Sequence, residues 1–160
     1  MPIFPLWIFE WIEATAFAQF VRDSTWIFPV TEAVHLLGLC AMGGALLIVD
    51  LRLLGVGLVR QSITELAREA HRWLVASVAL QLMTGSVLFA SEAVKCYHNP
   101  SFWVKMSALV VALTFTFAVR RPMAGSGTLE TSWRSRLLAA TSLGLWFTVA
   151  AAGRWIGFSS

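Results

Sequence analysis

The chain has 160 residues, of which 58% are hydrophobic and 13% charged, with a net charge of +3 at pH 7 and a mean hydropathy of +0.71. Soluble domains are roughly one-quarter charged, so this composition excludes one and specifies an integral membrane protein. CxxC, CxxCH, HExxH and glycine-rich phosphate loops do not occur, which removes support for soluble hydrolase, NTPase and c-type cytochrome readings. The basic residues cluster beside apolar segments, as topology signals do, so nucleic acid is not an expected partner. Two cysteines, Cys40 and Cys96, do not make a disulfide framework.

In chain order, residues 1–23 come first. "PIFPLWIFEWIEATAFAQFVRD" has no basic n-region, carries Glu10 and Glu13, and ends in Arg22–Asp23, so it does not read as a cleavable signal. Trp7 and Trp11, with Ile8 and Ile12, recur at helical spacing. That pattern predicts an amphipathic helix lying in the periplasmic interface, with a short or re-entrant span as the alternative.

Residues 24–160 carry four apolar segments, about 26–49, 71–94, 101–119 and 137–158. Each supplies about the 20 residues that a roughly 30 Å hydrocarbon core requires. Short connections make neighbours antiparallel, so the predicted fold is all-α, a four-transmembrane-helix antiparallel bundle. Arg52, Arg60, Arg68 and Arg72 fill the first connection, and Arg120, Arg121, Arg134 and Arg136 the third, whereas the middle one has Lys95. The positive-inside rule then places the first and third connections in the cytoplasm. Both termini face the periplasm of a bacterial inner membrane. Asp50 and Arg52 mark the inner end of the first span, pinning it by pairing with arginines of the third connection.

The first span contains an ionisable pair, Glu32 and His35. His35 is nine residues in from Trp26, roughly 13 Å below the outer boundary at 1.5 Å per residue. The same depth falls at Gly85 on the second span, flanked by Thr84 and Ser86, and at Thr148 on the fourth. Gly38 and Met42 share His35's face. Two readings stand side by side. Small residues let membrane helices approach, with His35 bonded to Thr84 or Thr148; or they make room for a flat macrocycle whose iron His35 Nε2 ligates.

Lys105 and Arg154 lie above that layer. They either meet anionic propionates there or snorkel to headgroups. Glu32 can pair with either cation or orient the His35 ring. His71, beside Arg68 and Arg72, is a boundary residue too far from His35 to share an iron. His98, in "KCYHNPSFW", is a candidate second axial ligand, and with Cys96 a candidate surface copper site.

"HLLGLCAMGGALLIVDLRLLG", "LMTGSVLFASEAVKCYHNPSFWVKMSAL" and "LGLWFTVAAAGRWIGF" resemble a poorly characterised family of small four-helix bacterial inner-membrane proteins. More distantly, the order of a first-span histidine, T-G late in the second span and a lysine opening the third resembles copper-resistance D-type proteins and haem-b-binding membrane protoporphyrinogen oxidases. The latter resemblance implies functional roles for His35 and Lys105. The chain lacks the extended loops of copper-resistance D proteins.

The expected function is that of a b-type cytochrome-like membrane subunit. Haem b in the outer leaflet would pass electrons to or from a quinone or a partner protein, with a role as electron-transfer or accessory subunit rather than stand-alone enzyme. A cofactor-free assembly subunit of a larger complex and a copper-handling membrane protein are the alternatives. So apolar a chain is expected to associate with copies of itself or with other subunits.

Overall fold

The computed structural model describes residues 4–58, 60–125 and 132–158. The described residues are almost entirely helical, and four long apolar helical stretches are capable of crossing a bilayer. The chain is a multi-pass membrane protein. Part of the predicted third connection, residues 126–131, lies outside the described residues.

The N-terminal stretch forms two short helices rather than the single one predicted: α1 (Leu6–Glu13) and α2 (Ala16–Asp23). The break is chemical. The Thr15 hydroxyl accepts the Ala18 N–H at 3.3 Å and donates to Ile12 O at 2.7 Å, capping one helix while closing the other. α1 buries Phe9 among Phe89, Tyr97 and Trp103, and leaves Trp7 and Trp11 exposed. Glu13 fastens the pair, accepting the Val94 N–H at 2.7 Å and meeting Arg22 at 2.7 Å.

α3 (Ile27–Leu54) runs past the predicted end at residue 49 to Gly55, whose φ of 76° closes it; only glycine adopts this left-handed conformation without cost. α4 (Ile63–Ser91) begins eight residues before the predicted start at residue 71. The turns carrying Glu65, Arg68 and Glu69 are helical but polar, so hydropathy does not see them. A short α5 (Ala93–His98) precedes α6 (Pro100–Thr114), which opens with Pro100 in its first turn and the Asn99 side chain accepting the Ser101 N–H at 2.9 Å. Proline there gives up a donor that the helix would leave unpaired anyway. The third span continues through a π-helical turn, Phe115–Arg120, into α7 (Arg121–Gly125). α8 (Trp133–Ile156) starts on a reciprocal Ser132–Ser135 capping box.

α3 packs along α4, and α6 along α8, with α3 and α8 joining the two pairs. α4 touches the third span mainly through α7. One core cluster lies mid-bundle around Met42, Leu46, Leu74, Ala112 and Trp146, and a second around Val49, Leu53, Ile63, Leu66 and Leu138. Near α7 the bundle is closed. Towards α5 the gap between α4 and α6 stays open.

Polar groups fasten the closed end. Asp50 is not at a helix boundary, as predicted, but wholly buried. Its carboxylate accepts from Arg120 Nε at 2.7 Å and from Ser142 Oγ at 2.7 Å, while Arg120 Nη2 donates to Leu46 O at 3.1 Å. Arg120 therefore belongs inside the third span rather than in the connection. Arg52 turns outward instead, donating to Gln61 O at 2.8 Å. A buried pair satisfied this fully fixes how three helices meet, because separating it leaves a naked charge in hydrocarbon.

Candidate functional site: a lateral slot between α4 and α6

The open gap is a slot of about 230 Å³. Its α4 wall runs from Val78 to Phe89, eleven rises and thus about 16 Å of helix. Phe102, Lys105, Met106, Leu109 and Leu113 of α6 form the facing wall, and His35, Met42 and Trp146 the back. Phe89 and Phe102 stack at 5.5 Å and 9° between ring planes, closing the end nearest α5. With that end sealed and α4 and α6 barely touching, the mouth opens sideways, toward lipid.

His35 is locked in place. Thr84 Oγ1 donates to Leu80 O at 2.7 Å, which spends its only proton. The 2.7 Å contact between Thr84 Oγ1 and His35 Nδ1 is therefore donated by the imidazole. Nδ1 carries the proton, so Nε2 presents a bare lone pair. It has no hydrogen-bond partner among the described residues. Orienting one ring nitrogen by a bond to the other is how proteins prepare a histidine to ligate or accept. Gly85 makes the space, since a Cβ there would stand 3.3 Å from His35 Cε1. Gln81 Nε2 donates to His35 O at 2.6 Å and ties the same turn of α3 to α4.

Lys105 is the second polar group. Its stem lies along α8, where a Cβ on Gly153 would meet Cε at 3.5 Å. The ammonium makes no hydrogen bond or ion pair within the described residues. Holding an unpaired cation inside a span is costly, and the slot is where a partner would relieve that cost.

Of the residues singled out in the sequence, His35, Met42, Gly85 and Lys105 share the slot. Gly38 does not line it. It supports the slot from behind, letting α4 come close enough that a Cβ would lie 3.1 Å from Leu80 Cδ2. Thr148 is exposed on another face of α8, its hydroxyl donating to Gly144 O at 2.8 Å. Arg154 is exposed and stacks 4.5 Å over the Phe158 ring. Glu32 is exposed and makes no ion pair among the described residues. His98 is exposed, with Nδ1 donating to Val94 O at 3.0 Å, while Cys96 is buried, so the two do not face solvent together. His71 packs edge-on against Phe117 of the π-helical turn, far from the slot. No three His, Cys, Asp or Glu side chains gather as a metal cluster among the described residues.

Sequence reading passed over Gln81, Trp146, Met106 and the Phe89–Phe102 pair. Gln81 was detectable as an amide inside an apolar span. The others are apolar residues among many, and only packing singles them out.

The fold and the slot define a class: a small polytopic four-helix membrane protein with a lateral cavity lined by an oriented histidine and by a lysine that has no hydrogen-bond or ion-pair partner among the described residues. Residues 8–159 match the model of a family of unknown function, DUF6644, and the chain belongs to that family. No curated protein and no solved structure matches it.

Proposed function

We propose that the slot holds a flat, lipid-soluble redox cofactor, haem b, and that the protein serves as a b-type cytochrome-like subunit of a bacterial inner membrane. The observation that carries this reading is that His35, its Nδ1 held by Thr84, and Lys105, with no hydrogen-bond or ion-pair partner among the described residues, line one cavity. The donor types present suit such a group, although the slot of about 230 Å³ would have to widen between α4 and α6 to admit the macrocycle. His35 would hold the iron and Lys105 would meet a propionate, while Gly85 leaves space beside the imidazole. The bound iron would supply one-electron transfer. This chain's residues orient the ligand nitrogen, exclude water behind Phe89 and Phe102, and set the dielectric that tunes the potential. The distant resemblance to haem-b-binding membrane oxidases supports the same two residues.

The test is an optical spectrum of the purified protein with pyridine haemochrome analysis. A Soret band, lost in His35→Ala and kept in His71→Ala, is the expected result. Equal haem content in wild type and His35→Ala overturns the assignment.

One observation favours a second reading. The slot is smaller than the roughly 300–1,000 Å³ usual for drug-sized ligands, which suits a quinone headgroup whose tail leaves between α4 and α6. In that case the reduced quinol form suits the pair: Lys105 donates to one ring hydroxyl oxygen and His35 Nε2 accepts from the hydroxyl opposite. A haem-free preparation that yields stoichiometric quinone on extraction, and loses it in Lys105→Met, would establish this instead.

A further inference from the structure

At the opposite end of α4 from the stacked phenylalanines, Arg68, Glu69, Arg72 and Trp73 line a shallow basin of about 430 Å³. Arg68 and Arg72 stand one turn apart on one helix face. Neither has a hydrogen-bond or ion-pair partner among the described residues. Among other arginines of the chain, Arg120 holds Asp50, Arg52 holds Gln61 O, and Arg134 stacks 5.7 Å over Trp133. Trp73 is 70% exposed beside the pair, at the polar margin of the span where indoles settle between headgroups and acyl chains.

The chemistry of the basin is specific. Planar guanidinium groups bind phosphate oxygens in bidentate fashion. Two arginines and one glutamate leave a single positive charge, which one phosphodiester cancels. The Glu69 carboxylate accepts hydrogen bonds and repels a second phosphate, so it suits a headgroup whose free hydroxyls donate.

We propose that this basin binds a phosphatidylglycerol headgroup, with Arg68 and Arg72 on the phosphate, Glu69 on the glycerol hydroxyls and Trp73 against the upper acyl chain. Choline headgroups lack the donor, and an ethanolamine headgroup would leave the site with its positive charge uncancelled. The proposal is independent of what the slot contains.

The experiment uses the full chain in neutral detergent. Thermal unfolding and native mass spectrometry follow added phosphatidylglycerol, phosphatidylethanolamine, phosphatidylcholine or inorganic phosphate. Phosphatidylglycerol should raise Tm and persist as a one-to-one adduct, with the other three giving less. Each arginine near a membrane surface is worth about 1 kcal/mol toward anionic lipid, so Arg68→Gln and Arg72→Gln should each weaken the adduct about five-fold. Trp73→Ala should weaken it without changing the preference between headgroups. Arg134→Gln should leave it unchanged. If Arg68→Gln/Arg72→Gln, with unaltered helical content, retains wild-type phosphatidylglycerol, the attraction is diffuse and the site is overturned. Equal retention of phosphatidylethanolamine overturns the charge argument, and equal stabilisation by inorganic phosphate overturns the lipid.

Discussion

A single hydroxyl proton sets the chemistry of the site. Because Thr84 spends its proton on Leu80 O, it can only accept from His35, and the lone pair of Nε2 is left to the slot. Thr84→Val keeps the volume but removes that acceptor. It leaves the Nδ1–H unpaired at a cost of about 1–3 kcal/mol and frees the other tautomer. On the proposed function, bound cofactor should fall sharply in Thr84→Val and be kept in Thr84→Ser, measured as cofactor per protein. Gly85 is equally exposed to test. With His35 Cε1 3.3 Å from where a Cβ would stand, Gly85→Leu fills the slot, and should abolish ligand retention while helical circular dichroism stays intact. Lys105→Met should weaken retention, and Arg154→Met should not, since Arg154 lies over Phe158. Outside the spans, burial foremost and the nearby Glu92 carboxylate push the Cys96 thiol up to about 11. It is a protonated, hidden thiol at neutral pH. Alkylation of Cys96 in the folded protein should stay slow at pH 8 and accelerate only as pH climbs toward 11, whereas the detergent-denatured chain should react readily at pH 8.

At the scale of elements, the π-helical turn of the third span holds two inward-facing polar groups one turn apart. It is the stretch that carries both Thr116 and Arg120 inward, where Thr116 accepts from Trp146 Nε1 at 3.0 Å and Arg120 reaches Asp50. Such turns are rare and frequently occur at functional sites. Trp146 also forms part of the back of the slot, so the turn links the closed end of the bundle to the open one. Arg120→Leu strands the Asp50 carboxylate, and breaking a buried pair in this way costs about 3–5 kcal/mol. Asp50→Asn with Arg120→Leu should cost much less. A double-mutant cycle in thermal unfolding measures the difference, and additive losses would show the pair to be uncoupled. Thr116→Val should loosen Trp146 and lower ligand retention with a smaller loss of stability.

For the whole molecule, two features divide the ends of the bundle. The half nearer α5 carries the stacked aromatic rings, the short helices α1 and α2 and the sideways-opening slot. The other carries Arg60, Arg68, Arg72, Arg121, Arg134 and Arg136. Positive charge resists translocation, so the arginine end is expected in the cytoplasm and the slot in the outer leaflet. In a background lacking Cys40 and Cys96, Ser62→Cys should be shielded from an impermeant thiol reagent in intact cells and labelled after permeabilisation. Trp11→Cys, at the other end, should react in intact cells. The reverse pattern would place the slot in the inner leaflet.

Features governed by local composition and period were determined by the sequence alone. Four apolar stretches near 20 residues leave lipid as the only solvent in which they are stable, and Asn99–Pro100 and Gly55 end or begin helices by constraints on their own backbones. The sequence also placed His35 level with Gly85, since depth along a helix is arithmetic. Rotation about each helix axis is not arithmetic in a chain apolar on nearly every face, because hydropathy is the same toward lipid and toward protein. Only packing decided that Lys105 turns into the slot while Thr148 and Arg154 turn away. Only packing, too, brought Asp50, Arg120 and Ser142 together from three helices, separated by 70 and 92 residues along the chain. The sequence pointed Asp50 toward the arginines that follow the third span, but only packing chose Arg120 among them and added Ser142.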